Sequence, residues 1–219
     1  MTFVRGRKAE RKTVIEEDEF KAMLRRAGED QPHEYYALRD RALLCILWKT
    51  GKRRGEVARL EVADLEVDRE RGLLHITFTL EKKRRGSILT RRRTKTLSLE
   101  DPYVKPILEY LEYLKRLSPG CRYLFPSTRW NPLTGALTII GDRHISGVQV
   151  WRIVTRAGPE AWPHLFRETQ GARVVRRYGN TITGVFAVKQ RLDLEQIQTA
   201  MRYVERYAVD LIEPEENVL

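Results

Sequence analysis

The sequence predicts a mainly α-helical domain with a small antiparallel β-sheet, an α+β fold. Apolar residues recur at helical spacing along most of the chain, whereas alternation with period two is confined to residues 67–99. At 219 residues and 42% hydrophobic content, the chain is long enough to bury one sizeable core. No internal repeat or low-complexity segment interrupts it, so we expect a single folded domain.

The first helices are predicted from the spacing of apolar residues and from glycine stops. One helix is predicted over residues 16–28 and a second over residues 35–49, ended by Gly51. The run 42–48 within the second helix is apolar enough to be buried on most sides. A short third helix is expected to follow directly, carrying Arg53.

Alternation of apolar and polar residues predicts the small sheet. Ile76, Phe78 and Leu80 share one face of a strand, and its antiparallel partner is predicted at residues 95–99. The connection between them is predicted to be a long loop that contains no acidic residue and eight basic ones, Lys82, Lys83, Arg84, Arg85, Arg91, Arg92, Arg93 and Lys95. Such a loop is expected to contact several phosphates and to make binding strongly salt-dependent.

The second half of the chain is predicted to be helical apart from one irregular region. Asp101-Pro102 opens a helix whose apolar stripe runs to Leu117. Residues 123–127 are predicted to be extended and residues 131–142 to be rich in turns. Further helices are predicted at residues 146–157, 163–178, 184–191 and 195–207.

The charge balance indicates a polyanionic partner, with nucleic acid as the first candidate. The chain carries 41 Lys and Arg against 30 Asp and Glu, a formal net charge of +11. No apolar run approaches the ~18 residues of a membrane span, and the N-terminus lacks a secretory signal. Cys45 and Cys121 have no zinc-site spacing. A cytoplasmic, nucleoid-associated protein without a metal is therefore expected.

Two basic motifs point to phosphate chemistry. His164 and Arg167 lie three residues apart on a predicted helix, so a proton-transfer group and a fixed cation would share one face. Arg53 lies upstream in the sequence Thr50-Gly51-Lys52-Arg53, with Glu56 three residues later. Taken singly, Arg53 would more often be an ordinary solvated surface charge, together with Arg54, and a His-x-x-Arg pair occurs by chance in many helices.

The order of Arg53, then His164 and Arg167 in the His-x-x-Arg pair, and then the late Tyr203 resembles the catalytic domain of the tyrosine recombinases, the phage integrase family. The resemblance implies that Arg53 and Arg167 bind the scissile phosphate of double-stranded DNA, that Glu56 supports Arg53, and that His164 transfers a proton. Tyr203 would be the nucleophile and would form a 3′-phosphotyrosine, without metal, ATP or another cofactor. Tyr207, one turn later, is the alternative nucleophile, and either tyrosine could instead simply pack its ring.

Three positions of the resemblance are less regular. Leu194 falls where the family usually has a His or Trp that donates to the phosphate, and Glu168 falls where a His is usual. Leucine cannot donate a hydrogen bond, which implies a slower enzyme rather than a dead one. The family's general acid is a lysine between two strands, for which Lys82 is our choice, with Lys83 beside it and Lys95 a weaker option.

The resemblance also implies a domain organisation and an assembly. We expect a basic N-terminal arm at residues 1–12, the catalytic domain at 13–207 and an acidic tail at 208–219, with the family's N-terminal core-binding domain absent. Family members act as tetramers on DNA, although a monomer in solution is equally compatible with the sequence. The leading function is site-specific recombination or integration. The alternatives are a type IB-like topoisomerase and a DNA-binding protein that has lost catalysis.

Overall fold

The structure is a computed structural model that describes residues 12–29, 31–84 and 87–208, with side chains described outside residues 81–90. Its helices are α1 (Glu17–Gly28), α2 (Glu34–Thr50), α3 (Arg54–Ala58), α4 (Lys105–Leu117), α5 (Gly147–Ala157), α6 (Pro163–Tyr178), α7 (Ile182–Arg191) and α8 (Ile197–Ala208). Its strands are β1 (Leu65–Asp68), β2 (Leu73–Arg84), β3 (Ser87–Ser98), β4 (Pro126–Asn131) and β5 (Ala136–His144). The predicted α+β fold class is confirmed. Most of the predicted basic arm, Arg85 and all but the first residue of the predicted acidic tail lie outside the described residues.

The larger sheet has the strand order β1-β2-β3 and is antiparallel throughout. Strands β2 and β3 pair from Leu73 opposite Ser98 to Arg84 opposite Ser87. The predicted long loop at residues 82–95 is therefore wrong, because only residues 85 and 86 fall between the two strands. Residues 91–94 of β3 are exposed, so the ribbon is held by its backbone ladder and shows no alternation that could reveal it.

The predicted turn-rich region at residues 131–142 is also wrong in part. It contains the end of β4 and most of β5, which form a separate two-stranded antiparallel hairpin. Only residues 132–135 lie between these strands, with Gly135 at a φ of 66°. The hairpin is exposed near its tip, where Leu133 is 94% exposed, so the apolar residues there do not alternate with a buried face and hydrophobic patterning could not identify it.

Helix α2 lies at the centre of the main core. Six consecutive residues, 42–47, are completely buried, as expected for a helix covered on all sides. The ring of Phe20 on α1 stacks on Trp48 of α2 at 4.1 Å, and Phe166 on α6 meets Phe20 edge-on at 6.1 Å. These contacts fix α6, which carries the His-x-x-Arg pair, against the centre of the domain.

A smaller apolar cluster joins α6, α7 and α8. Its buried members are Ala172, Val175, Val188, Leu192, Ala200, Tyr203, Val204, Tyr207 and Ala208. Helix α8 therefore packs against α6 and α7, and it brings both late tyrosines, Tyr203 and Tyr207, to α6. Since α6 belongs to both clusters, it connects α8 to the rest of the domain.

Candidate active site

Arg53 is positioned by the turn that follows α2. Gly51 ends α2 in the left-handed conformation, with a φ of 61°, which glycine adopts without strain. Arg53 is the residue immediately before α3. Glu56, in the first turn of α3, accepts hydrogen bonds from both the backbone and the side chain of Arg53. The Arg53 N to Glu56 Oε2 distance is 3.0 Å and the Nη1 to Oε1 distance is 2.9 Å. The buried Glu56 carboxylate thus orients an arginine whose side chain remains half exposed.

Arg167 is the most deeply placed of the predicted site residues, with 2% of its surface exposed. Its guanidinium donates to the carbonyl oxygen of Gly51 at 2.9 Å and to that of Leu192. Burial lowers the pKa of Arg167, and the nearby positive charge of Arg53 lowers it further. Arg167 therefore joins the turn before α3 to the turn after α7 and lies within electrostatic range of Arg53.

His164 is exposed and lies one turn before Glu168 on α6. Its Nε2 is 3.1 Å from Glu168 Oε1. A ring nitrogen that faces a carboxylate oxygen at this distance carries the proton and donates it. His164 can therefore accept a proton at Nε2 only after its ring has moved away from Glu168.

Tyr203 packs its ring directly on α6. A Cβ atom added at Gly171 would lie 2.3 Å from Tyr203 Cδ1, so the absence of a side chain at 171 makes room for the ring. The Tyr203 hydroxyl approaches Glu168 Oε1 at 3.5 Å. Burial raises the pKa of Tyr203, and the Glu168 charge also raises it, whereas the guanidinium of Arg167 acts in the opposite direction. The hydroxyl thus lies beside both an anion and a buried cation.

The fit between Gly171 and Tyr203 gives a stability prediction. We expect Gly171→Ala to lower the free energy of unfolding by about 1–3 kcal/mol, because the new methyl group displaces the tyrosine ring. The matched control is Gly55→Ala on α3, where the nearest atom to an added Cβ is Arg59 Nη2, 3.8 Å away. This control should be neutral or stabilising by up to about 1 kcal/mol. Urea unfolding measures both, and equal stabilities would contradict the packing of Tyr203 on Gly171.

A buried ion cluster that the sequence did not reveal lies beside the site. Asp193 Oδ2 is 2.8 Å from Lys52 Nζ and 3.0 Å from Lys95 Nζ. Lys52 is only 1% exposed and its ammonium lies 4.6 Å from the centre of the Phe78 ring. Asp193 has a φ of 49°, the one positive value among the described residues other than glycine. The cluster therefore joins the turn after α7, the turn before α3 and strand β3.

Asp193 should stabilise the fold in a pH-dependent way. Burial raises the pKa of Asp193, but hydrogen bonding and charge from Lys52, with the charge of Lys95, outweigh burial and leave it below the usual range. A depressed carboxylate pKa stabilises the fold above the unfolded-state value of about 3.9, and this stabilisation is lost as the pH falls through the lower folded-state value.

We therefore expect Asp193→Asn to lower the free energy of unfolding by about 3 kcal/mol at pH 7, because it leaves the poorly solvated ammonium groups of Lys52 and Lys95 without their anion. The cost should shrink as the pH falls below about 4. Asp18→Asn is the control, since Asp18 forms an exposed pair with Lys21 that is worth under about 1 kcal/mol. Urea titrations at neutral and acidic pH test this, and a cost that does not change with pH would contradict it.

Lys95 and Lys82 occupy different places on the β2-β3 ribbon. Lys95 Nζ donates to the carbonyl oxygens of Gln190 at 3.2 Å and Arg191 at 2.9 Å, which places it at the turn after α7. Burial lowers the pKa of Lys95, although Asp193 opposes this. Lys95 pairs with Ile76 in the ladder, and Lys82 lies six residues beyond Ile76. That separation corresponds to about 20 Å along the strand.

The remaining predicted DNA-binding residues lie along the same ribbon. Arg91 and Arg93 line a cleft of about 1800 Å³, together with Arg53, Lys95 and Leu194. Arg92, on the opposite face of β3, pairs with Asp64 at 2.9 Å. The side chains of Lys82, Lys83, Arg84 and Arg85 lie outside the described part of the structure. The cleft therefore has one basic wall on β3 and a second at Arg53.

Leu194 lies in the turn before α8 and packs against the smaller apolar cluster. Its side chain supplies no hydrogen-bond donor to the cleft, in line with its chemistry. A second cavity of about 1060 Å³ adjoins the first, with Arg53 on both linings; His164, Trp151 and Trp162 are among its other residues. Arg53 thus stands between the ribbon and the exposed His164.

No helix in the described part of the structure is long and apolar enough to cross a membrane. No group of three or more His, Cys, Asp or Glu side chains within the described ranges could hold a metal ion.

Known structures resemble this fold. XerH recombinase bound to difH substrate in a pre-cleavage complex is 16% identical with a TM-score of 0.62, and the match covers 92% of this chain and 52% of that one. XerA recombinase is 20% identical with a TM-score of 0.58, and the match covers 97% of this chain and 68% of that one. The chain thus spans about half the length of the XerH protein. No curated protein matched it significantly.

The family assignment comes from a profile match. Residues 13–208 match the model of the phage integrase family, which is nearly the whole of the described structure. The likeness to the Xer structures is at low identity and shows that the fold is the one of tyrosine recombinase catalytic domains. This chain belongs to the phage integrase family, the tyrosine recombinases.

Proposed function

We propose that this chain is the catalytic domain of a site-specific DNA recombinase or integrase that breaks and rejoins strands through Tyr203. The observation that carries the proposal is the position of Tyr203, whose ring lies on Gly171 of α6 with its hydroxyl within the influence of Arg167. The positive charge of Arg53 lowers the pKa of the buried Arg167 and so lies within electrostatic range of it. A nucleophile beside one fixed cation, with a second cation within electrostatic range of the first, suits attack on a phosphodiester.

In the cleavage step, the Tyr203 oxygen forms a bond to phosphorus and the bond from phosphorus to the 5′-oxygen breaks. Arg53 and Arg167 neutralise the charge on the non-bridging oxygens, since guanidinium groups donate in a two-pronged geometry. The phenolic proton passes to His164, once its ring has left Glu168. The released 5′-hydroxyl later attacks the phosphotyrosine, so that the bond energy is kept without metal or ATP.

The leaving 5′-oxygen needs a proton, and Lys82 remains our proposed donor. The ladder register means that Lys82 can reach a phosphate near Arg167 only if the β2-β3 ribbon folds over bound DNA. Lys95 already lies at the site, but its ammonium is occupied by Asp193 and two carbonyl oxygens. Assembly as a tetramer on two DNA sites is part of the same proposal, and XerH, a structural neighbour, is described in complex with its difH substrate.

Covalent trapping tests the proposal. The protein is incubated, with a chelator and without ATP, with nicked duplexes drawn from the DNA that flanks its own gene, so that the cleaved 5′-hydroxyl fragment diffuses away. A protein–DNA band that survives denaturing electrophoresis is the expected result. Tight binding with no such band on any duplex would indicate a DNA-binding protein without catalysis. Relaxation of a plasmid that lacks these duplex sequences would indicate a topoisomerase instead.

A further inference from the structure

Glu168 lies where four side chains of two helices meet. Its partner on α6 is His164, and its partners on α8 are Tyr203, Arg206 and Tyr207. The carboxylate is mostly buried, and the Tyr207 hydroxyl oxygen also lies 3.4 Å from the carbonyl oxygen of Thr13. A single anion therefore connects the His-x-x-Arg helix to the helix that carries both candidate nucleophiles.

The two tyrosines are held unequally. The Tyr207 hydroxyl donates to Glu168 Oε2 at 2.6 Å, a short bond to a charged acceptor. The Tyr203 hydroxyl is 3.5 Å from Oε1, beyond the usual O–H···O range of about 2.5–3.0 Å. Arg206 Nη1 is 3.2 Å from Oε2 and adds a second contact from α8 to the same oxygen as Tyr207. Tyr207 is thus committed to Glu168, whereas Tyr203 is not.

The charge of Glu168 also separates the two tyrosines chemically. Burial raises the pKa of Tyr207, and the hydrogen bond and negative charge of Glu168 raise it well above the usual value. Tyr207 therefore keeps its proton to a higher pH than a free phenol does, and its hydroxyl is held by Glu168 instead of facing a phosphate. Tyr203 has the Arg167 guanidinium as a counterweight to Glu168.

We propose that Glu168 is a positioning residue that selects the nucleophile: it fixes Tyr207 and Arg206, and so sets α8 on α6 with the Tyr203 hydroxyl free to meet the phosphate. This inference rests on the proposed function, since it concerns the residue that performs the cleavage. It also assigns a role to the position at which the sequence departs from the histidine usual in the family.

The first test uses the free protein and needs no DNA. Glu168→Gln, Tyr207→Phe and the double variant are compared by urea unfolding. The effects of Glu168→Gln and Tyr207→Phe on the unfolding equilibrium constant should depart from additivity by about threefold or more, because both variants weaken the same hydrogen bond. In Glu168→Gln, tyrosinate absorbance should also appear at lower pH than in the wild type, and this shift should vanish when Tyr207→Phe is added. Additive effects and an unchanged titration would overturn the proposal.

The second test uses the trapping assay on single turnovers. Glu168→Ala should slow formation of the adduct by about tenfold or more, with DNA affinity within about twofold, because α8 loses its anchor. Glu168→Gln should recover most of the rate, since its amide oxygen still accepts from Tyr207. Glu205→Ala, which removes an exposed carboxylate of α8, is the control and should match the wild type. A Glu168→Ala protein that cleaves at the wild-type rate would refute the role.

The two tests separate failure of the inference from failure of the proposed function. If the wild-type protein forms no adduct, the recombinase proposal has failed, and the coupling between Glu168 and Tyr207 in the free protein decides whether Glu168 holds that tyrosine. If the wild type forms the adduct and no coupling is found, the selection by Glu168 is wrong while the recombinase proposal stands.

Discussion

A Tyr203→Phe variant is expected to form no covalent adduct with nicked DNA, while it binds the same DNA as tightly as the wild type. The change removes only the hydroxyl oxygen, and the ring still packs on Gly171, so the fold should be preserved. Tyr203, on α8, lies against α6 and within the electrostatic influence of Arg167. Denaturing electrophoresis measures the adduct, and fluorescence anisotropy measures the binding.

Tyr207→Phe is the matched control for that loss. Tyr207 lies one turn later on the same helix and is also buried, so the two variants differ mainly in which hydroxyl is removed. We expect Tyr207→Phe to retain adduct formation, although at a reduced rate because Glu168 loses its shortest contact. Retention of the adduct in Tyr203→Phe, with loss in Tyr207→Phe, would move the nucleophile by one turn and contradict the assignment.

Arg167 should give the second largest effect. Replacing Arg167 by Lys keeps a positive charge but cannot maintain two donor bonds to the separate carbonyl oxygens of Gly51 and Leu192 while also meeting a phosphate. We expect the single-turnover cleavage rate to fall by about 10²- to 10³-fold, the usual cost of losing one such donor. Weaker binding alone should not explain the fall, so rates are compared at saturating protein.

The control for Arg167→Lys is Arg176→Lys on the same helix. Arg176 is exposed and pairs with Glu16 at 3.3 Å, so its replacement should leave the cleavage rate within about twofold of the wild type. Melting temperatures of both variants show whether the fold survives, because the Gly51 and Leu192 carbonyls lose a buried donor in Arg167→Lys. A folded Arg167→Lys protein that cleaves at the wild-type rate would remove Arg167 from the site.

Most of the helical framework could be predicted from the sequence, because apolar spacing and stops are local signals. Helix α2 is a clear case, since the apolar run 42–48 and the left-handed Gly51 are both visible in the sequence and both found in the structure. The order of Arg53, His164, Arg167 and Tyr203 was equally visible. The structure adds that Arg167 is buried and that His164 is turned toward Glu168.

The rest depends on interactions between distant residues. The outer parts of β2 and β3 have no buried face, so their pairing leaves no pattern in the sequence. Asp193 pairs with Lys52 and Lys95, each more than 90 residues earlier in the chain, and no spacing rule could connect them. Glu168 looked like a mere departure from the family motif, because its four partners come together only when α8 packs on α6.

The measurement that tests the proposed nucleophile most directly is peptide mapping of the trapped adduct. Trypsin cuts after Arg202 and Arg206, so Tyr203 is released on the peptide 203–206 and Tyr207 on the peptide that begins at residue 207. After nuclease trimming, mass spectrometry should find the nucleotide attached to Tyr203. A nucleotide on the peptide that begins at Tyr207, or on any other residue, would contradict the mechanism.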